Sequence, residues 1–363
     1  MRSGFPTRTL AGAVVFLLAW PAAALDSIQW NGFALLRPET PASGRPLDDD
    51  SLSAQVQLGI DWRPSVFLGS HLHLLARNEE DGSRRGRVGV VEAFLEQNFR
   101  TGRGGRIHLM EGAFFLPTSR ENIDSLWETP YTITPSALNS WLGEELRPVG
   151  VDASYAHRTE KLGTITGGAT VFTGNDTFGA LPIDRGWALR DHWILLGEHI
   201  PVTATAYTSA SAETDDRLGW SARAKWNNDH GAFQITRMDN RADARRHGEL
   251  FNWATRFNII GADYTWNRWT AAAEAGWGTT AIQPAPTRRF SFPIRAGYVL
   301  LSRQMASFRA SIRADEYEHG TVDGHAVTAA LFWEPQRSRL RSGIEGIATN
   351  RDKRLALELR YRF

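Results

Sequence analysis

The feature that most constrains this chain is a strict period of two in its apolar residues. In the segment 52–63, Leu52, Ala54, Val56, Leu58, Ile60 and Trp62 fall on one face of an extended strand, with Ser53, Gln55, Gln57, Gly59, Asp61 and Arg63 on the other. The last nine residues repeat the pattern, with Leu355, Leu357, Leu359, Tyr361 and Phe363 alternating with Ala356, Glu358, Arg360 and Arg362. One face of each segment suits lipid and the other water. Globular strands run to about 5–6 residues, whereas a tilted membrane strand needs about 9–11. The length of these segments points to the second kind.

The same alternation predicts sixteen strands, near 27–37, 52–63, 66–77, 87–99, 105–116, 149–158, 163–173, 218–227, 231–239, 253–264, 268–278, 290–303, 305–315, 324–334, 338–348 and 354–363. Helical periodicity is weak throughout, and no repeat of twenty to fifty residues suggests a solenoid or propeller. Connections alternate between short ones and mostly long ones, as in an all-β transmembrane antiparallel barrel with tight turns on one rim and large loops on the other. An even strand count places both termini on the short-turn rim. Under this topology Trp30, Trp62, Trp226, Trp266, Trp269 and Trp333 lie at that rim, and Trp220, Trp253 and Trp277 at the other. Two girdles of amphipathic rings are what the two interfaces of a bilayer favour. Around Ile259-Ile260 and from Ala232 to Met238 the alternation blurs, which is compatible with a bulge.

Residues 1–24 read as a secretory signal: Arg2 and Arg8 precede the apolar run Leu10 to Trp20, and Ala22-Ala23-Ala24 offers a cleavage site. That leaves one barrel domain over 25–363. The apolar run is shorter than the ~20 residues of a spanning helix, and none like it follows, which excludes a helical membrane protein. Taking the two signal arginines from 41 basic residues leaves 39 against 40 acidic ones, a near-neutral chain with no basic bias toward nucleic acid. The absence of cysteine excludes disulfides, thiolate metal sites and a cysteine nucleophile. The mean hydropathy of −0.34 looks soluble, as it would for a barrel with a polar lumen.

The third long loop, 117–148, which leaves the fifth strand, carries Arg120, Glu121, Asp124, Glu128, Glu144, Glu145 and Arg147, together with Trp127, Tyr131 and Trp141. A purely solvated loop has little use for those rings. Basic residues share the polar faces of strands: Arg223 with Lys225, Arg309 with Arg313, Arg339 with Arg341, and Arg360 with Arg362. Facing an acidic loop, such rows would set a transverse field across a constriction. Alternatively they keep a lumen wet and pair with Asp61, Glu92, Glu96, Glu274 and Glu345.

A strand that ends on an aromatic residue, here Phe363, resembles the closing strand of bacterial outer-membrane barrels. The resemblance implies the barrel assembly machinery as a partner, acting through that strand. The runs Gly112-Ala113-Phe114-Phe115-Leu116-Pro117 and Glu144-Glu145-Leu146-Arg147-Pro148-Val149-Gly150-Val151 resemble the loop-bearing segment of the phosphate-selective porin group and its porin-like relatives, and Gly174-Asn175-Asp176 and Arg185-Gly186-Trp187 resemble other stretches in those relatives. In sixteen-stranded porins the loop after the fifth strand folds into the lumen and narrows it. The resemblance further implies an outer-membrane location, surrounding lipid and a homotrimer. Ala271, Ala273 and Ala275 offer a small-residue face for subunit packing. No lysine-rich ladder is present, so phosphate selectivity is not implied.

Enzymes also occur on such barrels, through serine, histidine and acid sets. His71 and His73 lie on the polar face of their strand and Ser70 on the opposite one, so they read as lumen lining. Asp48-Asp49-Asp50 offers calcium ligands, though a solvated loop is the commoner meaning. No P-loop, dinucleotide-binding glycine pattern or HExxH is present. The expectation is a passive channel for small hydrophilic solutes with a mild preference for anions, with no cofactor and no metal. The alternative is a barrel serving as a surface receptor or lipid-modifying enzyme.

Overall fold

The structure is a computed structural model that describes residues 28–40, 52–78, 86–102, 104–202, 207–319, 322–350 and 352–363. The candidate signal sequence 1–24 and Asp48-Asp49-Asp50 lie outside the described residues.

The wall is formed by β1 (Ile28–Pro38), β2 (Leu52–Trp62), β3 (Leu68–Arg77), β4 (Val88–Thr101), β5 (Gly105–Ala113), β6 (Val149–Thr159), β7 (Gly163–Thr173) and β8 (Gly219–Asn227). It continues through β9 (Gly231–Asp239), β10 (Ala254–Trp266), β11 (Trp269–Ala285), β12 (Arg288–Met305), β13 (Phe308–His319), β14 (Val322–Trp333), β15 (Leu340–Thr349) and β16 (Lys353–Arg362). Each strand pairs antiparallel with the next, and β16 returns to β1, closing the barrel. Closure removes every sheet edge, which is what lets strands cross lipid without unpaired backbone groups. Among the described residues no helix is long and apolar enough to cross a membrane.

The seam shows how the final residue is seated. Phe33 to Leu36 pair with Arg362 to Leu359. Beyond that ladder the Phe363 N–H donates to the Gly32 carbonyl at 3.0 Å, and the Gly32 N–H returns a bond at 3.3 Å. A Cβ on Gly32 would stand 2.6 Å from the Phe363 ring and 2.4 Å from the Gln57 carbonyl, so only glycine admits the ring there. Trp30 lies 5.9 Å from the same ring, centroid to centroid.

Strand boundaries fall close to the predicted ones except at β11, which continues to Ala285, past the predicted end at 278. Its upper part, Gly278 to Ala285, includes Thr279, Thr280, Gln283 and Pro284, with a register shift between Ile282 and Ala285. Alternation fades there: the adjacent Thr280 and Ala281, on opposite faces, are both buried. The blurred stretches of β9 and β10 hold no bulge, because their ladders run without a break. Instead Ala232, Met238, Phe257 and Ile259 face inward and are buried. The barrel interior is therefore partly apolar.

That interior core comes from two connections. The third loop contains α1 (Ala137–Glu145), whose start is capped by the Ser136 hydroxyl accepting the Asn139 N–H at 3.2 Å. From this loop Phe114, Leu116, Leu138, Trp141 and Leu142 pack on the inward-facing Phe172, Met238, Phe257, Ile259 and Ile294. The fourth, 174–217, contains α2 (Ala180–Asp184) and supplies Phe178, stacked on Trp141 at 4.5 Å, and Trp193 against Phe115 and Trp127. Trp253 corrects the predicted girdle: it is 5 % exposed and packs under this fourth loop, its backbone N–H donating to the Asp176 carbonyl. Trp277, Trp30, Trp226, Trp266 and Trp333 are exposed on the outer wall, as predicted.

Candidate functional site

The third loop lies inside the barrel, since its polar groups bond inward-facing side chains on many strands. Arg120 reaches Asp263 on β10 at 2.6 Å, and its backbone N–H donates to the Glu274 carboxylate on β11. Glu121 is fully buried and accepts from the Ser136 N–H, Asn139 Nδ2 and Arg313 Nη1, the last at 3.1 Å. Arg313 on β13 also donates to Thr132 Oγ1 and to the carbonyls of Thr134 and Pro135, and its Nε holds Asp315 at 2.8 Å. The guanidinium thus staples a turn of the loop to the wall. Glu345 on β15 accepts the N–H groups of Ile133 and Thr134.

Lower in the barrel, Glu128 pairs with Arg360 and Asp124 with Arg362 at 3.0 Å. Arg360, Arg341 and Arg37 converge on Glu358, at 2.9, 2.7 and 3.0 Å. Three cations round one buried carboxylate are held by their other partners, Glu128 for Arg360 and Asp191 for Arg37 at 2.6 Å. Burial raises the carboxyls of Glu121 and Glu128, and their arginines pull the other way.

At the upper end of α1 the two glutamates have different fates. Glu144 is gripped by Arg185 at 2.7 Å and Arg190 at 3.0 Å, both from the fourth loop. Glu145 meets neutral donors: Trp141 Nε1, Thr208 Oγ1 and the N–H groups of Gly179 and Ala180 at the start of α2. Its burial pushes its pKa up to about 7. Arg147 is buried with one bond, to the Ile194 carbonyl, while its Nε and Nη2 have no partner; burial pushes it down to about 10. Asp176, buried beside Glu213 and Asp215, is also pushed up to about 7, by burial first and those like charges second.

The wall residues follow the predicted alternation with one correction. Arg223 holds Asp152 at 2.5 Å, Arg309 reaches Glu334 at 3.5 Å, and Arg341 lies over the Phe332 ring at 4.3 Å. Arg339, by contrast, precedes β15 and is exposed in the turn, because the strand starts at Leu340. The partners also differ from the predicted acids. Asp61 takes His71 at 2.9 Å and Glu96 takes His108 at 3.2 Å, while the arginines use Asp152, Asp315, Glu334 and Glu358. Two of these were legible: Asp315 stands two residues from Arg313 and Glu358 two from Arg360, hence on the same face.

Lys225, Arg100 and Arg106, on the polar faces of the wall, make none of these ion pairs. Lys225 lies among Arg120, Asp263 and Arg223 without an ion pair. Arg100 stands directly opposite Arg106 in the β4–β5 ladder, on the face of Glu96 and His108, and both are exposed. His71 and His73 face the interior as predicted, His73 bonded to Gln57 Oε1 at 2.8 Å, and Ser70 is not brought to them.

The sequence matches no family profile and no curated protein. The fold is similar to solved porins. OmpF of Salmonella typhi matches with a TM-score of 0.60 at 12% identity, covering 93% of this chain and 97% of that one. A loop-deletion variant of OmpT, an outer membrane protein of Vibrio cholerae, matches at 0.56 and 9% identity, over 93% and 99% of the two chains. An anion-selective porin from Comamonas acidovorans matches at 0.54 and 11% identity, over 93% and 99%. The chain has the porin fold: a closed sixteen-stranded antiparallel barrel.

Proposed function

We propose that this chain is an outer-membrane diffusion channel for small hydrophilic solutes with a mild preference for anions, and that it works as a homotrimer. The observation that carries the reading is the third loop, held inside a closed barrel by ion pairs to β10, β13 and β16. A loop so anchored is a fixed narrowing, with Arg120, Glu121, Asp124, Glu128, Glu144, Glu145 and Arg147 as its skeleton. In this reading the rim carrying the termini faces the periplasm and the Phe363 strand is what the assembly machinery reads.

The wall arginines Arg223, Arg309, Arg313, Arg341 and Arg360 each face a carboxylate, so they hold geometry more than they attract anions. The preference rests on Lys225, Arg100 and Arg106, whose charge is not cancelled at contact distance. Low-dielectric walls concentrate such a field. Phosphate selectivity is not part of the proposal.

Planar-bilayer recording of the purified protein is the test. Stable conductance steps with a reversal potential on the anion side, weaker at 1 M than at 0.1 M salt as screening shortens from ~10 to ~3 Å, are expected. Absence of steps would sink the channel reading and favour a surface receptor or lipid-modifying enzyme.

A further inference from the structure

Arginines also occupy the outer wall, where a barrel in lipid has little use for them. On β9, β10 and β12 the outward positions near the rim opposite the termini carry Arg237, Arg256 and Arg295, all exposed. Strand registers place Arg237, Asn258, Trp277 and Arg295 in one row across four strands. The next row toward the termini is apolar or small: Ile235, Ile260, Ala275 and Gly297. A charged side chain facing lipid is costly at the bilayer midplane and nearly free at the interface, and tryptophan prefers that same interface. The row therefore marks the headgroup level of one leaflet.

Two concavities adjoin there, of about 320 and 360 Å³. The first is flanked by Arg237, Arg256 and Arg295, the second by Arg241, Arg256 and Arg289; Arg256 and Thr279 belong to both. Acids stand to one side: Glu318 reaches Arg295 at 3.5 Å, with Glu316 and Asp323 beside it, whereas the two concavities themselves are lined by five arginines and one carboxylate, Asp239. Arg237 touches only the neutral Asn258 Oδ1, at 3.3 Å. Below, a wider depression of about 680 Å³ shares Trp277 and Arg295 with the first concavity and runs over Ala275, Gly297 and Val299, with Glu316, Glu318 and Asp323 along its far edge.

We infer that this face binds a phosphorylated glycolipid of the outer leaflet, with a phosphate in each arginine-flanked concavity and an acyl chain along the small-residue depression beneath. Guanidinium forks match phosphate oxygens bidentately, and the apolar row sits where a lipid tail must start. A second copy of the chain would bring five arginines against five, so subunit contacts belong on a face other than the one that carries Ala275. The inference rests on the proposed orientation, in which this rim faces outward from the cell.

The test is native mass spectrometry of the detergent-purified protein with bis-phosphorylated lipid A, its dephosphorylated counterpart and inorganic phosphate. The bis-phosphorylated form is expected to bind at least about tenfold more tightly than the dephosphorylated form, and R237Q/R256Q/R295Q to abolish that difference. R303Q, on the outer wall near the other rim, is the control and keeps it. Equal binding of both lipids, or an unchanged preference in the triple variant, would overturn the inference. So would displacement of the lipid by inorganic phosphate, which would assign the concavities to free anions. Bilayer conductance is recorded on the same samples. Retained conductance with no lipid preference overturns this inference alone, whereas lipid preference without conductance overturns the channel.

Discussion

The inner and outer walls of this barrel carry the same residue type to opposite ends. Arg313, Arg341 and Arg360 face inward, are at most 4 % exposed and are wrapped by carboxylates and carbonyls of the chain itself. Arg237, Arg256 and Arg295 face outward and find at most one acid among them. The backbone treats the two sets alike, since alternate residues of a strand point to opposite faces. What differs is the company. Inside, a closed lumen brings loop acids within reach, so a guanidinium becomes a clamp. Outside, none of the described residues folds back over them, so the charge stays available to a ligand.

The largest effect should come from breaking an inner clamp. Arg313→Met leaves Glu121 and Asp315 buried without their cation, and removing one partner of such a pair costs about 3–5 kcal/mol. A lower unfolding temperature by heat-modifiable gel migration and a larger, noisier single-channel conductance are expected. Unchanged values for both would show that the loop is held by something else.

A second test uses an inner carboxyl held by neutral donors. Glu145 titrates near 7 in the folded chain, above the ~4.3 of an unfolded glutamate. Between those values the docked carboxyl keeps a proton that a free one releases. Docking of the third loop on the fourth is therefore fully favoured below about 4.3 and loses that contribution as pH rises through about 7. Asp176 acts with the same sign. Conductance should be lower at pH 5 than at pH 8, and Glu145→Gln should flatten the profile; an equal slope in the variant would move the cause elsewhere.

Smaller still is the expected effect of the unpaired inner cations. Charge reversal at Lys225, or at Arg100 with Arg106, should move the reversal potential toward cations, by more at 0.1 M than at 1 M salt. Arg309→Glu should move it less, since Glu334 already offsets that charge at 3.5 Å. If Arg309→Glu shifts the potential as much as Lys225→Glu, the distinction between paired and unpaired cations fails. The smallest effect belongs outside: Arg256→Gln should leave conductance unaltered and stability within about 0.5 kcal/mol, as for most exposed substitutions. A large loss of folded barrel would mean that the outer arginines are also clamps.

Strand number, order and facing were legible because lipid imposes one simple rule on every spanning residue. Trp253 and Ile259 show where that rule ended: both are apolar, yet both are buried against loops that had not been located. Arg339 shows the limit of boundaries, since one residue separates a wall position from a turn. The third loop's residues could be named, but Glu144 and Glu145, adjacent in the chain, drew different partners from the fourth loop.

The sequence by itself determined the barrel, because a period of two and the length of a membrane crossing are local properties that each strand carries alone. Only the tertiary structure decided which charges cancel. Arg313 meets Glu121 across 192 positions of chain and Arg360 meets Glu128 across 232. Such pairings depend on strand register and on the path of a loop through the lumen, and neither leaves a periodic trace.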